Sequence, residues 1–211
     1  MTGPSAFFRR AMIFGFRMPV SGLADATISH LLVPHRPAQR VFPTLPRSTR
    51  NQGRKEAMLE TPQIIETDEQ LTAVIHLTVP RAEIASVMGP AIAEIMSTLA
   101  AQGVALVGPC FSYHWKRPTD TFDFEVGFPV NNPIASAGRV KLGQLPAVKV
   151  VRTTYSGAYE GLDATWSEFC AWIATQVLNA QDSLWERYLS GPESSPDPEQ
   201  WRTELNRPLA A

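Results

Sequence analysis

Cysteine is nearly absent from this 211-residue chain, with Cys110 and Cys170 the only two. Two isolated thiols suggest no disulfide framework, and a reducing, cytoplasmic setting is the simpler expectation. Histidine is equally sparse: His30, His35, His76 and His114 are scattered, and none stands at metal-ligand spacing from a cysteine. No metal and no cofactor is therefore expected. The chain has no G-x-S-x-G elbow, no P-loop and no G-x-G-x-x-G turn. No apolar run approaches the roughly 20 residues of a membrane span, so no membrane association is expected.

Charge is also scarce, at 18% against 44% hydrophobic residues, as for a chain that is mostly globular. The net charge of −1 conceals an asymmetry. Residues 1–57 carry nine Lys/Arg against two Asp/Glu, and residues 58–211 carry ten against eighteen. Phosphate contacts need clustered Lys/Arg, so the acidic body argues against direct DNA binding and tolerates cationic or neutral small molecules better.

Residues 1–57 make a poor domain, with six prolines, eight arginines and no sustained periodicity. The patch Phe7, Phe8, Met12, Ile13, Phe14 and Phe16 is interrupted by Arg9, Arg10 and Arg17, a weak secretory core, and an Arg-rich start also imitates a transit peptide. The simpler expectation is a flexible extension, or a mis-started one with Met58 as the working start.

From residue 71 the patterns become regular. Leu71–Val79 alternates as a strand and Pro80 ends it. Ile84, Val87, Met88, Ala91, Ile92, Ile95, Met96 and Leu99 follow helical spacing, with Gly89-Pro90 expected to kink or split the helix and Gly103 placed as its cap. Strands are predicted over 105–116 and 121–129. After a linker near 131–146 the order recurs: a strand over 147–155, a helix carrying Leu162, Trp166, Phe169, Cys170, Ile173 and Val177, then strands over 182–189 and 200–207. The class is α+β, a duplicated β-α-β-β module with pseudo-twofold symmetry: an antiparallel sheet with helices on one side. The repeat halves span about 71–130 and 147–208.

Side chains alternate along a strand, so Leu184, Glu186 and Tyr188 share one side. A carboxylate between an aliphatic and an aromatic neighbour is costly to bury unless it is paired or kept for a ligand. The next strand puts Phe111, Tyr113 and Trp115 on one face, and its partner puts Phe122, Phe124, Val126 and Phe128 together with Asp123 and Glu125 opposite. The phenylalanines read as core, whereas Tyr113, Trp115 and Tyr188 each offer an apolar body with a polar tip. Aromatic rings around an acid suit a lipophilic cation, and burial also raises a carboxyl pKa toward acid–base use. His114 points opposite Tyr113 and reads as a surface histidine. Glu204 is a second acid on a late strand, or a surface partner of Arg202 or Arg187.

Four segments carry a resemblance: Phe122–Val130, Tyr155–Leu162, Trp185–Leu189 and Pro196–Leu205. In this order, from about 60 to 209, the chain resembles the GyrI-like small-molecule-binding family, which includes effector domains of AraC-type and MerR-type multidrug regulators. The resemblance implies a pocket between two modules and makes Glu186 the counterpart of the central acid that contacts cationic drugs in those regulators. Tyr113, Trp115 and Tyr188 are its implied aromatic lining, with Trp172 and Glu204 as further candidates. The alternative it implies is a hydrolase that opens cyclopropane-type electrophilic toxins, with Glu186 activating water. A gyrase-inhibitory interaction protein is a weaker alternative. Nothing in residues 1–57 resembles the regulators' helix-turn-helix, so no direct DNA binding is expected, and any partner protein is unknown.

Overall fold

A computed structural model describes residues 58–210; the extension expected over 1–57 lies outside the described residues. Nine strands and two α-helices follow in the order β1 (Met58–Leu59), β2 (Gln63–Glu66), β3 (Gln70–Pro80), α1 (Ile84–Gln102), β4 (Phe111–His114), β5 (Thr121–Pro129), β6 (Lys141–Leu145), β7 (Lys149–Ser156), α2 (Leu162–Thr175), β8 (Leu184–Ser190) and β9 (Arg202–Pro208). The strands form one sheet in the order β1-β7-β9-β8-β4-β5-β3-β6, with β2 also pairing β7. Every pairing is antiparallel.

The duplication is visible in that order. One module runs β4-β5-β3 and the other β8-β9-β7, and they meet where β4 pairs β8. At the seam Ser112 lies opposite Glu186, and His114 opposite Leu184. Leu77 lies opposite Phe124, and Phe124 opposite His114. Residues directly opposite in a ladder share a face. Phe124 belongs to the cluster under α1 and Leu184 to the cluster under α2, so both helices cover the same side of the sheet. Burying an Ile, Leu or Phe of those clusters contributes about 1.5–3 kcal/mol each. On the other side Val74, Phe111, Leu145, Val150 and Trp185 form a third, smaller cluster.

Three local expectations are corrected. Gly89-Pro90 does not split α1, which runs as one helix through Pro90. The buried stripe Ala91, Ile92, Ile95 and Leu99 follows the proline, so packing there offsets the hydrogen bond that Pro90 withholds from the preceding turn. Gly103 caps the helix in the left-handed conformation, φ 66°, as its position suggested. With the one-turn segment before it, the helix spans Arg81–Gln102, long and apolar enough by length and composition to cross a membrane, although no single apolar run suggested it.

The strand predicted over 105–116 shrinks to Phe111–His114, because Pro109 interrupts the ladder. The stretch read as a linker contains β6, which pairs the outer edge of β3. Gly143 permits this pairing: a Cβ there would lie 2.8 Å from Val74 and 2.9 Å from Thr72 side-chain atoms.

Candidate functional site

Glu186 is 8% exposed and faces the helices from the middle of the sheet. Two neutral donors hold its carboxylate: Trp166 Nε1 donates to Oε1 at 2.7 Å, and the Tyr188 hydroxyl donates to Oε2 at 2.9 Å. Trp166 comes from the buried face of α2, where an indole N–H needs an acceptor. Among the described residues no cationic side chain pairs with Glu186. Burial pushes its pKa above the usual carboxylate range, and the bonds from Trp166 and Tyr188 only partly oppose this. The Tyr188 phenol is pushed well up by its own burial and then by the Glu186 charge.

The hydrogen bonds continue across the seam. Ser112 Oγ lies 3.0 Å from the Tyr188 hydroxyl, and His114 Nε2 lies 3.1 Å from Ser112 Oγ. Each hydroxyl has one proton to give. When Tyr188 donates to an ionised Glu186, Ser112 donates to Tyr188, and His114 donates from Nε2. That direction leaves His114 Nδ1 as a bare acceptor, and Nδ1 is indeed buried without a partner. His114 is therefore not a surface residue. It is 4% exposed, burial pushes its pKa down to about 4, and its ring stacks on Phe124 with centroids 5.1 Å apart.

Further aromatics flank the Tyr188 end of this chain. Tyr159, on the single turn before α2, meets Tyr188 edge-on with centroids 5.7 Å apart, and lies 4.9 Å from the Trp201 ring centroid. Trp201 is fixed by donating Nε1 to the Ser195 carbonyl at 2.8 Å. The exposed Glu193 adds negative charge here: it reinforces the upward shifts that burial imposes on the Tyr159 phenol and on the Cys110 thiol, the latter pushed up to about 12.

Glu186 and Tyr188 thus come together as their spacing suggested. Tyr113 and Trp115 do not join them. Ser112, not Tyr113, registers with Glu186, so the aromatic face of β4 is turned away from the helices. Tyr113 stacks on Trp185 at 6.0 Å, and Trp115 packs edge-on against Tyr113 and His76. Trp172 lies partly buried against the α2 cluster and is not a hydrogen-bond partner of Glu186. Glu204 also sits on the far face, buried and bonded to Arg187 and Arg152 rather than exposed at the surface. Trp166, Ser112, Tyr159, Trp201 and Glu193 were not singled out from sequence. Only Trp166 carried a signal, its polar N–H on an apolar helix face. Among the described residues no group of three His, Cys, Asp or Glu side chains could hold a metal ion.

A duplicated β-α-β-β sheet is now in view, with a buried acid beside the seam that has no cationic partner among the described residues, and residues 60–210 match the model of the GyrI-like small molecule binding domain. The chain belongs to this family. No curated protein sequence matches it. Among solved structures, the C-terminal domain of EcmrR is 22% identical, with a TM-score of 0.64 over 71% of this chain and 97% of that one. EcmrR in its DNA complex is 23% identical with the same TM-score of 0.64, and the GyrI-like chain covers only 57% of its length. SAV2435 bound to tetraphenylphosphonium is 15% identical, with a TM-score of 0.54 over 72% of this chain and 95% of that one. At these identities the likeness is one of fold.

Proposed function

We propose that this GyrI-like domain binds lipophilic cations on the helix face, with Glu186 as the charge anchor and Tyr159, Tyr188 and Trp201 as the aromatic wall. The supporting observation is that a buried carboxylate has two neutral donors and no counter-cation among the described residues. An ionised acid in that state is costly, and a cation placed against it recovers much of the cost. Ring faces add attraction of up to about 2 kcal/mol for a desolvated cation. The Ser112–His114 chain keeps the Tyr188 hydroxyl directed at Glu186.

Tetraphenylphosphonium is a suitable probe because it is cationic, apolar and cannot donate a hydrogen bond. Removing one partner of a buried charge pair costs at least about 2 kcal/mol, so Glu186→Gln is expected to weaken binding about 30-fold or more. Equal affinity in wild type and Glu186→Gln would dispose of the anchor. Affinity is also expected to rise with pH through the raised Glu186 pKa, because only the ionised acid attracts the cation.

The raised Glu186 pKa also suits a general base, which favours a hydrolase as the second reading. Glu186 would take a proton from water as the water oxygen bonds to a strained ring carbon. The ring C–C bond would break toward a conjugated carbonyl, and the proton would return to the carbon released. Mass spectrometry separates the two readings: a cyclopropane electrophile gaining one water with wild type but not with Glu186→Gln establishes turnover, and recovery of unchanged ligand establishes binding alone.

A further inference from the structure

The side of the sheet away from the helices holds a cavity of about 180 Å³ that the Glu186 site does not use. Its lining is mostly polar: Arg152, Arg187, Glu66 and Asp68 bring charge, and Leu145, Pro146 and Trp185 bring a smaller apolar part. The volume is ring-sized, since a cavity of about 150 Å³ holds benzene. Alternation along β8 separates the two places: Trp185 and Arg187 point one way, and Glu186 the other.

Arg152 and Arg187 have one acid between them as a direct partner. Oε1 of Glu204 lies 3.3 Å from Arg152 Nε and 3.3 Å from Arg187 Nη1, so two guanidiniums share one carboxylate oxygen. Arg152 Nε also donates to Asn206 Oδ1 at 2.7 Å. Both Nη groups of Arg152, and Nη2 of Arg187, donate to nothing among the described residues. Arg187 Nε is buried without an acceptor. Burial lowers the Arg152 pKa, Glu204 works against this, and the nearby Arg187 charge lowers it further. Glu66, which lies 3.9 Å from Lys149 Nζ, and Asp68 also line the cavity, and their charge disfavours a ligand with more than one negative charge. The acceptor that fits is a flat monoanion, which a guanidinium fork binds through paired hydrogen bonds.

We propose that this cavity is a second ligand site, taking a small organic carboxylate whose oxygens accept from Arg152 and Arg187 and whose apolar body lies against Leu145, Pro146 and Trp185.

Benzoate is the probe, titrated into the full chain by calorimetry and by ¹⁵N NMR of the arginine Nε–H signals. Inorganic phosphate and tetraphenylphosphonium run alongside. Saturable benzoate binding is expected, with the Arg152 and Arg187 Nε–H signals shifting along the same isotherm. Arg152→Met should weaken benzoate at least about tenfold and leave tetraphenylphosphonium unchanged. Arg152→Lys keeps the charge and guards against misfolding; it should retain weakened binding. Absence of saturable benzoate binding, equal benzoate affinity in Arg152→Met, or arginine signals that stay fixed would each overturn the proposal. Phosphate binding tighter than benzoate would overturn the carboxylate assignment.

Discussion

Glu186 and Glu204 are both 8% exposed and sit on adjacent strands, yet one meets only neutral donors and the other meets two guanidiniums. Burial is equal and the partners differ. Glu204 has its charge answered within the fold, by two guanidiniums. Glu186, when ionised, carries a charge that no cation among the described residues answers. The sheet separates the two, so each face can be altered without touching the other.

The largest expected effect comes from breaking the answered charge. Glu204→Gln leaves Arg152 and Arg187 without their carboxylate, and removing one partner of a buried ion network costs about 3 kcal/mol. Denaturant unfolding should show this loss, with tetraphenylphosphonium affinity per folded molecule unchanged. Trp166→Phe removes a donor to the Glu186 charge and should cost about 2 kcal/mol of stability. It should also move the pH dependence of cation binding to higher pH, because a stabiliser of the ionised form is gone.

Glu186→Gln should act in the opposite sense. Its folded pKa lies above the unfolded value of about 4.3, so its stabilising share is complete below that pH and lost as pH rises through the folded value. At pH 7 the substitution should stabilise the domain by about 1 kcal/mol while weakening the cation, a trade-off common at binding sites. The same variant exposes His114. With a folded pKa of about 4, below an unfolded value of about 6.5, His114 contributes stability above pH 6.5 that is lost as pH falls toward 4. The Glu186→Gln background should show this decline with a slope of up to about 1.4 kcal/mol per pH unit, and His114→Gln in that background should flatten it. The smallest effect is expected at Trp115, which is 43% exposed on the face away from Glu186. Trp115→Ala should change cation affinity by less than about twofold, measured by fluorescence or calorimetry.

The repeated plan was legible because it rests on local periodicity: Leu71–Val79, the α1 and α2 stripes, and the Leu184, Glu186 and Tyr188 alternation each declare themselves within a few residues. Cross-strand register is not local. The aromatic face of β4 was legible, but its side relative to Glu186 depends on whether Ser112 or Tyr113 stands opposite, and one residue of slip reverses every side chain. The same reversal explains His114, read as exposed and found beside Ser112 in the core. β6 was missed because Lys141-Leu142-Gly143-Gln144-Leu145 has a glycine at its centre and earns strand geometry only from the edge of β3. Glu193 lies in a proline-rich turn, where an acid reads as solvated surface; its charge reaches Tyr159 and Cys110 only through the fold.

A crystal structure with tetraphenylphosphonium tests the central assignment most directly. The cation is predicted on the helix face, within about 6 Å of the Tyr159 and Tyr188 ring centroids and facing the Glu186 carboxylate. Density for the cation on the opposite face, against Tyr113, Trp115 and Glu125, would contradict it.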